Sequence, residues 1–413
     1  MFTETELSRC KGFQLSVIGL MFAAQAAHAQ EQDGVIRTES GIDFIPSLQA
    51  ELKHDDNVLR DTNATISSWI STVAPTLKAN LVDGPHRYSF AAALKNAVYY
   101  DSSADNFNDG YLEAEAKLSP ASAHNLTFKA NNSWLHEDRG TGISEGRGNL
   151  QSEETRFIAQ EMEADYEYGS PGSTGKLRAN TRFYNKDYQN FRELTQYRDF
   201  DSRELGGGFV YQTPGAFKLV AELSTADINF KTEDLTGSRN NTDNNYRLGA
   251  EWDISALTTG ILKLGYQNKD FELAAREEFN GFSWEAIVQW LPLTYSGFDF
   301  STGRRAKDVD ALNINADFIV ETTYAIGWNH QWSERLTSKL AFEHQTDEYN
   351  RVVQLGSVLS RKDTRRIITG ELETKPLRWL TLTGFINLED RTSTLGVIVY
   401  DRTVYGLSLQ MTL

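Results

Sequence analysis

The last ten residues, "VYGLSLQMTL", set Tyr405, Leu407, Leu409, Met411 and Leu413 against Gly406, Ser408, Gln410 and Thr412. Successive side chains of a strand point to opposite faces, so this stretch has one apolar and one polar face. The same alternation recurs along the chain. Leu112, Ala114, Ala116 and Leu118 interleave with Glu113, Glu115 and Lys117; Tyr246, Leu248, Ala250 and Trp252 interleave with Arg247, Gly249, Glu251 and Asp253. Helical 3.6-residue spacing fits none of these runs. The pattern predicts 18 strands, beginning near residues 42, 66, 87, 110, 125, 156, 176, 202, 217, 245, 261, 282, 297, 318, 336, 364, 379 and 402. The pattern is weakest over 297–312.

Turn signals separate the runs. "LVDGPH", "SPASAHN", "GSPGSTG" and "QTPGA" are short, whereas "EDRGTGISEGRGNLQSEE", "KTEDLTGSRNNTDNN" and "SVLSRKDT" read as longer polar loops. In "FKLVAELSTADINF" the apolar set moves from odd to even positions after Leu223, which reads as a bulge that changes phase.

A soluble sandwich turns its apolar faces inward, and an outer-membrane barrel turns them outward to lipid. Three features favour the second. The polar faces carry charges near their middles, Trp and Tyr cluster near strand ends, and short turns alternate with long loops. Eighteen spanning strands need about 180 residues, which the chain supplies. The predicted fold is all-β, a transmembrane antiparallel β-barrel of about 18 strands, wide enough for an aqueous lumen. Its wall touches outer-membrane lipid. The alternating C-terminal strand resembles the signal read by barrel-assembly machinery, with Leu413 where Phe is usual.

The N-terminus supports export. Arg9 and Lys11 precede the apolar "LSVIGLMFAAQAA", and Ala27, His28 and Ala29 form an A-x-A cleavage site. The apolar run is too short to span a bilayer as a helix. The chain therefore divides into a signal peptide over 1–29, a short periplasmic tail over 30–40 and the barrel over 41–413. The predicted location is the outer membrane of a Gram-negative bacterium. Cys10, the single cysteine, falls within the signal peptide, so no disulfide or thiolate site is expected. The net charge of -16 argues against nucleic acid as a partner.

Several segments resemble the beta-barrel porin 2 family: "FIPSLQAELKHDDNVLR" (44–60), "ISTVAPTLKANL" (70–81), "YYDSSADNFNDGYLEAEAKL" (99–118) and "WLHEDRGTG" (134–142). So do "SWEAIVQWLPLTYSGFDFSTGRRAKD" (283–308) and "AIGWNHQWSERLTSKLAFEHQTDEY" (325–349). The family includes EpsL-like barrels encoded with exopolysaccharide machinery. The resemblance implies a barrel that conducts a secreted polysaccharide, working with a periplasmic export partner.

Catalytic signatures are missing from the sequence. His54, His86, His124, His136, His330 and His344 are scattered, and no H-E-x-x-H, G-x-S-x-G or P-loop motif occurs. No enzyme activity, cofactor or metal is predicted. "HDDN" (54–57) with Asp61 lacks EF-hand spacing and reads as a solvated loop. The polar faces carry the functional expectation, because charged rows around a lumen set solute preference. The predicted pore-lining residues are Glu113, Glu115, Lys117, Lys129, Glu161, Glu163, Asp165, Arg178, Arg182, Arg247, Glu251, Asp253, Lys339 and Glu343. Lys263, Glu285 and Glu371 join them, with Tyr99, Tyr184 and Phe385 as inward aromatics. Two other uses stay open beside polysaccharide export: a diffusion porin for small solutes, and a structural or adhesive barrel.

Overall fold

The computed structural model describes residues 34–255, 257–309, 316–354 and 357–412. The segment 1–29, expected to be a signal peptide, and Leu413 lie outside the described residues. The strands are β1 (Ile36–Arg37), β2 (Ile42–Asp55), β3 (Ser68–Asp83), β4 (His86–Tyr99), β5 (Phe107–Ala121) and β6 (His124–Glu137). Next come β7 (Thr155–Tyr168), β8 (Gly175–Tyr188), β9 (Phe200–Gln212), β10 (Phe217–Phe230), β11 (Asn241–Ser255) and β12 (Thr258–Phe271). The series ends with β13 (Phe279–Leu293), β14 (Ser296–Asp308), β15 (Phe318–Ser333), β16 (Leu336–Gln354), β17 (Ser357–Leu377), β18 (Leu380–Ser393) and β19 (Tyr400–Thr412).

From β2 onward each strand pairs antiparallel with the next, and β19 returns to pair with β2 from Val404↔Asp55 to Thr412↔Ser47. The sheet is a closed 18-stranded barrel. Closure pairs backbone groups that an open edge would leave bare, which is what allows a sheet to live in hydrocarbon. β1 stands outside the ring. It adds two residue pairs to β2, where the Arg37 guanidinium donates to the Asp43 carboxylate at 2.6 Å.

The register shows which face each residue takes. Leu223 lies opposite Tyr246, Ala221 opposite Leu248, and Leu248 opposite Leu264, all on the outer wall. Leu94, Met162, Leu223, Leu248 and Leu407 are among the outward apolar side chains left exposed. Outward rings gather in two belts. Trp69, Trp134, Tyr246, Tyr266, Tyr324 and Tyr405 lie toward the long-loop rim, and Tyr88, Tyr168, Tyr211, Trp290, Trp332 and Trp379 toward the short-turn rim.

Beyond the upper belt the polarity inverts. Ile70, Tyr99 and Phe107 point inward and bury themselves with Val58 and Ala97. Phe157 and Tyr188 do the same with Ala159. Here the outer face meets water rather than lipid, so the apolar side chains turn into the barrel and pack under the loops.

That inversion corrects the bulge expected in β10. Pairing runs without a shift on both sides of this strand, from Phe217↔Trp252 to Ile228↔Asn241 and from Lys218↔Gln212 to Phe230↔Phe200. The apolar residues change face because the strand leaves the hydrocarbon: Ile228 is an inward, buried residue. Two expected loops also prove to be strand. "SVLSRKDT" belongs to β17, and Asn241–Asn245 open β11. Both lie above the membrane, where polar residues hold the ladder and lipid-type alternation is absent. The weakly patterned 297–312 supplies β14 over Ser296–Asp308.

Candidate functional site

Inside the barrel the polar faces converge. Glu113, Glu115 and Lys117 project inward from β5, Lys129 from β6, and Glu161, Glu163 and Asp165 from β7. Arg178 and Arg182 of β8, and Arg247, Glu251 and Asp253 of β11, share that face, as do Lys339 and Glu343 of β16. Most are half-buried, as expected of side chains lying along a wetted wall.

The charges pair along the wall. Glu115 meets Lys117 at 3.1 Å, Lys129 meets Glu163 at 3.2 Å and Arg182 meets Glu161 at 2.6 Å. Glu113 accepts a hydrogen bond from the Tyr111 hydroxyl. Lys339 lies 3.7 Å from Glu371 and 3.4 Å from Glu373, and Arg365 donates to Glu343 at 3.2 Å.

Three further pairs pass over intervening strands, two of them in the first pair and one in each of the others, and inward glycines make this possible. Arg178 of β8 reaches Glu251 of β11 at 2.9 Å, passing over Gly208, its β9 neighbour. Lys263 of β12 reaches Glu222 of β10 at 2.9 Å across Gly249. Arg247 of β11 reaches Glu285 of β13 at 3.5 Å across Gly265. A Cβ on Gly249 would stand 2.3 Å from the Leu262 carbonyl oxygen and 2.8 Å from Lys263 Cγ, so a side chain there obstructs the crossing. Pattern reading missed these glycines; their signal is Gly at an inward phase within a charged row.

The long loops close over this wall. Loop 138–154, between β6 and β7, reaches β18 and β17, six and seven strands from β6 around the ring. There the Glu145 carboxylate accepts from Arg391 at 2.6 Å and from Arg361 at 3.0 Å, and Asp363 binds both guanidiniums from below. Loop 56–67 locks onto it: Arg60 donates to Asp138 at 2.8 Å, and Gly140 packs against Leu59. Gly140 has φ +85°, and a Cβ there would come within 1.8 Å of the Leu59 carbonyl oxygen, so only glycine serves. Burial pushes the Asp138 carboxyl up, but Arg60 and His136 outweigh it and hold the group well below the ordinary carboxylate value. The buried Arg139 pairs with Asp105 at 2.6 Å and draws the loop between β4 and β5 into the same assembly. On the other side of the mouth Arg276 joins Asp317 at 2.9 Å.

The "HDDN" segment is structural. Asp55 takes a guanidinium fork from Arg402, Asn57 donates to the Asp61 and Asp401 carbonyls, and Asp61 accepts from the Asn63 and Ala64 amides. His54 points to the outer wall beside Trp69 and Tyr405. Among the described residues no group of three His, Cys, Asp or Glu is arranged to hold a metal ion. Tyr99 is packed against Phe107, whereas Tyr184 and Phe385 face inward and are half-buried.

A closed antiparallel barrel with a lipid-compatible exterior and a charged, wetted interior defines an outer-membrane barrel of the porin class. The family model described as "Putative beta-barrel porin 2" matches residues 43–413, and the chain belongs to that family. Among solved structures, a BenF-like porin from Pseudomonas fluorescens Pf-5 is similar at 11% identity and a TM-score of 0.50, over 90% of this chain and 99% of that one. Pseudomonas aeruginosa OccK2 (OpdF) in complex with glucuronate gives 11% identity and a TM-score of 0.49, over 90% and 98%. Pseudomonas aeruginosa OpdO gives 13% and 0.47, over 90% and 97%. At such identities the likeness to the BenF-like porin concerns the fold alone. A search of curated proteins finds no match.

Proposed function

We propose that this barrel is a diffusion porin for small hydrophilic solutes in the outer membrane of a Gram-negative bacterium. Its solute path is the inward wall built from Glu113, Glu115, Lys117, Lys129, Glu161, Glu163, Asp165, Arg178, Arg182, Arg247, Glu251, Asp253, Lys339 and Glu343. Loop 138–154 carries the reading: it crosses the mouth to Arg361 and Arg391 and narrows the opening available to a solute. A mouth held by ion pairs suits single small molecules better than a continuous polymer. The polysaccharide export implied by the resemblance therefore ranks behind diffusion. Wall charges in opposite-sign pairs bind water and polar solutes without trapping one ion.

Planar-bilayer recording tests the reading. Purified barrel added to a membrane in KCl is expected to give stable, ohmic steps. A sealed barrel without conductance would support the structural or adhesive alternative. Loss of surface polysaccharide on deletion of the gene, with solute uptake unchanged, would restore the export reading.

A further inference from the structure

Most inward aromatics at the mouth are sealed under loops, but three adjacent ones are not. Tyr184 of β8, Phe200 of β9 and Phe230 of β10 face inward and are half-buried. Their ring centroids follow one another at 5.6 Å and 5.6 Å, with interplanar angles of 42° and 36°. The spacing follows the interstrand distance, so the three rings form a strip running across the strands. Because barrel strands tilt, that direction winds around the inner wall and does not run level with the rim.

The polar groups around the strip narrow its chemistry. Ser202 shares the inward face beside Tyr184. Arg182 pairs with Glu161 at 2.6 Å and lies 4.0 Å from Glu204, and Lys186 pairs with Glu137 at 3.0 Å. Arg239 lies 5.0 Å from the centre of the Phe230 ring and 4.0 Å from Asp234. Each cation is already matched by a carboxylate, so a solute carboxylate would have to displace one. A purely aromatic solute would use the rings and strip water from the charged pairs without replacing its hydrogen bonds. A neutral saccharide satisfies both, laying C–H faces on the rings while its hydroxyls donate to the carboxylates and accept from Arg182 and Lys186.

We propose that Tyr184, Phe200 and Phe230 form a capture subsite for neutral saccharides at the outer end of the lumen. The proposal rests on the lumen being a solute path, and the test separates the two. Maltotriose at millimolar concentration, added to the wild-type barrel in KCl, is expected to cause brief current blockades. Phe200→Leu and Phe230→Leu keep the bulk and lose the aromatic face; each is expected to weaken apparent binding about two- to tenfold. Phe128→Leu, on the lipid-facing wall, is expected to leave the blockades unchanged, and folding of every variant is checked by heat-modifiable electrophoretic mobility. Stable conductance without maltotriose blockade overturns the subsite alone, as do unchanged blockades in both variants or stronger block by benzoate. Absence of conductance in KCl overturns the channel reading and the subsite with it.

Discussion

Glu145→Gln removes the charge that pins loop 138–154 to the far wall. Glu145 accepts from two guanidiniums, at 2.6 Å from Arg391 and 3.0 Å from Arg361, and all three side chains are largely buried. Hydrogen bonds to charged groups contribute about 1.5–3 kcal/mol each. The full amount is not lost, because Asp363 still binds Arg361 at 2.5 Å and Arg391 at 2.8 Å, so neither cation is left unpaired. The amide also keeps one acceptor. A net loss of about 2 kcal/mol remains, which multiplies the population of the released loop about 30-fold. Single-channel recording reads this directly. Wild-type barrel is expected to show one quiet conductance level, and Glu145→Gln frequent steps to a larger one. Traces indistinguishable in level and noise would refute the claim that this loop narrows the mouth.

Leu248→Arg places a guanidinium between the two aromatic belts of the outer wall and should cost about 2–4 kcal/mol of stability, read from urea unfolding of the lipid-inserted barrel. An unchanged midpoint would argue against lipid contact at that face. Gly249→Ala pushes a methyl into the Leu262 carbonyl and the Lys263 stem; about 1–3 kcal/mol of destabilisation is expected by the same assay. The Arg60–Asp138 tie makes a pH prediction. A carboxyl held below its unfolded value of about 3.9 contributes its full stabilisation above that pH and loses it as the pH falls through the depressed value. This tie should therefore hold from neutral pH down to about pH 4, with mouth noise rising only below; noise rising already near pH 6 would contradict it.

Within the membrane the strands were legible because lipid enforces strict alternation: Leu112 to Leu118 and Tyr246 to Trp252 show their outward face from spacing alone. Above the membrane that rule lapses. Ile228 and Phe230 turn inward because the outer face there meets water, and the polar start of β17 forms strand where a loop was expected because no lipid enforces alternation there. The wall charges were legible as rows, but their partners were not. Arg178 meets Glu251 across two intervening strands, and Glu145 meets Arg361 through ring closure and loop folding, which no local pattern encodes. The crossing glycines escaped notice for the same reason: Gly249 matters through Lys263 on the neighbouring strand.

Adjacent residues of β11 test the central claim, that apolar rows face hydrocarbon while their charged neighbours face water. In a Cys10→Ser background, Leu248→Cys and Arg247→Cys are each labelled with a small fluorophore and the barrel is reconstituted in vesicles. Label at position 248 should be quenched by brominated lipid and spared by iodide in the buffer, and label at position 247 the reverse. Iodide quenching at 248 together with lipid quenching at 247, or a barrel that stays soluble without detergent and shields both labels, would contradict the account.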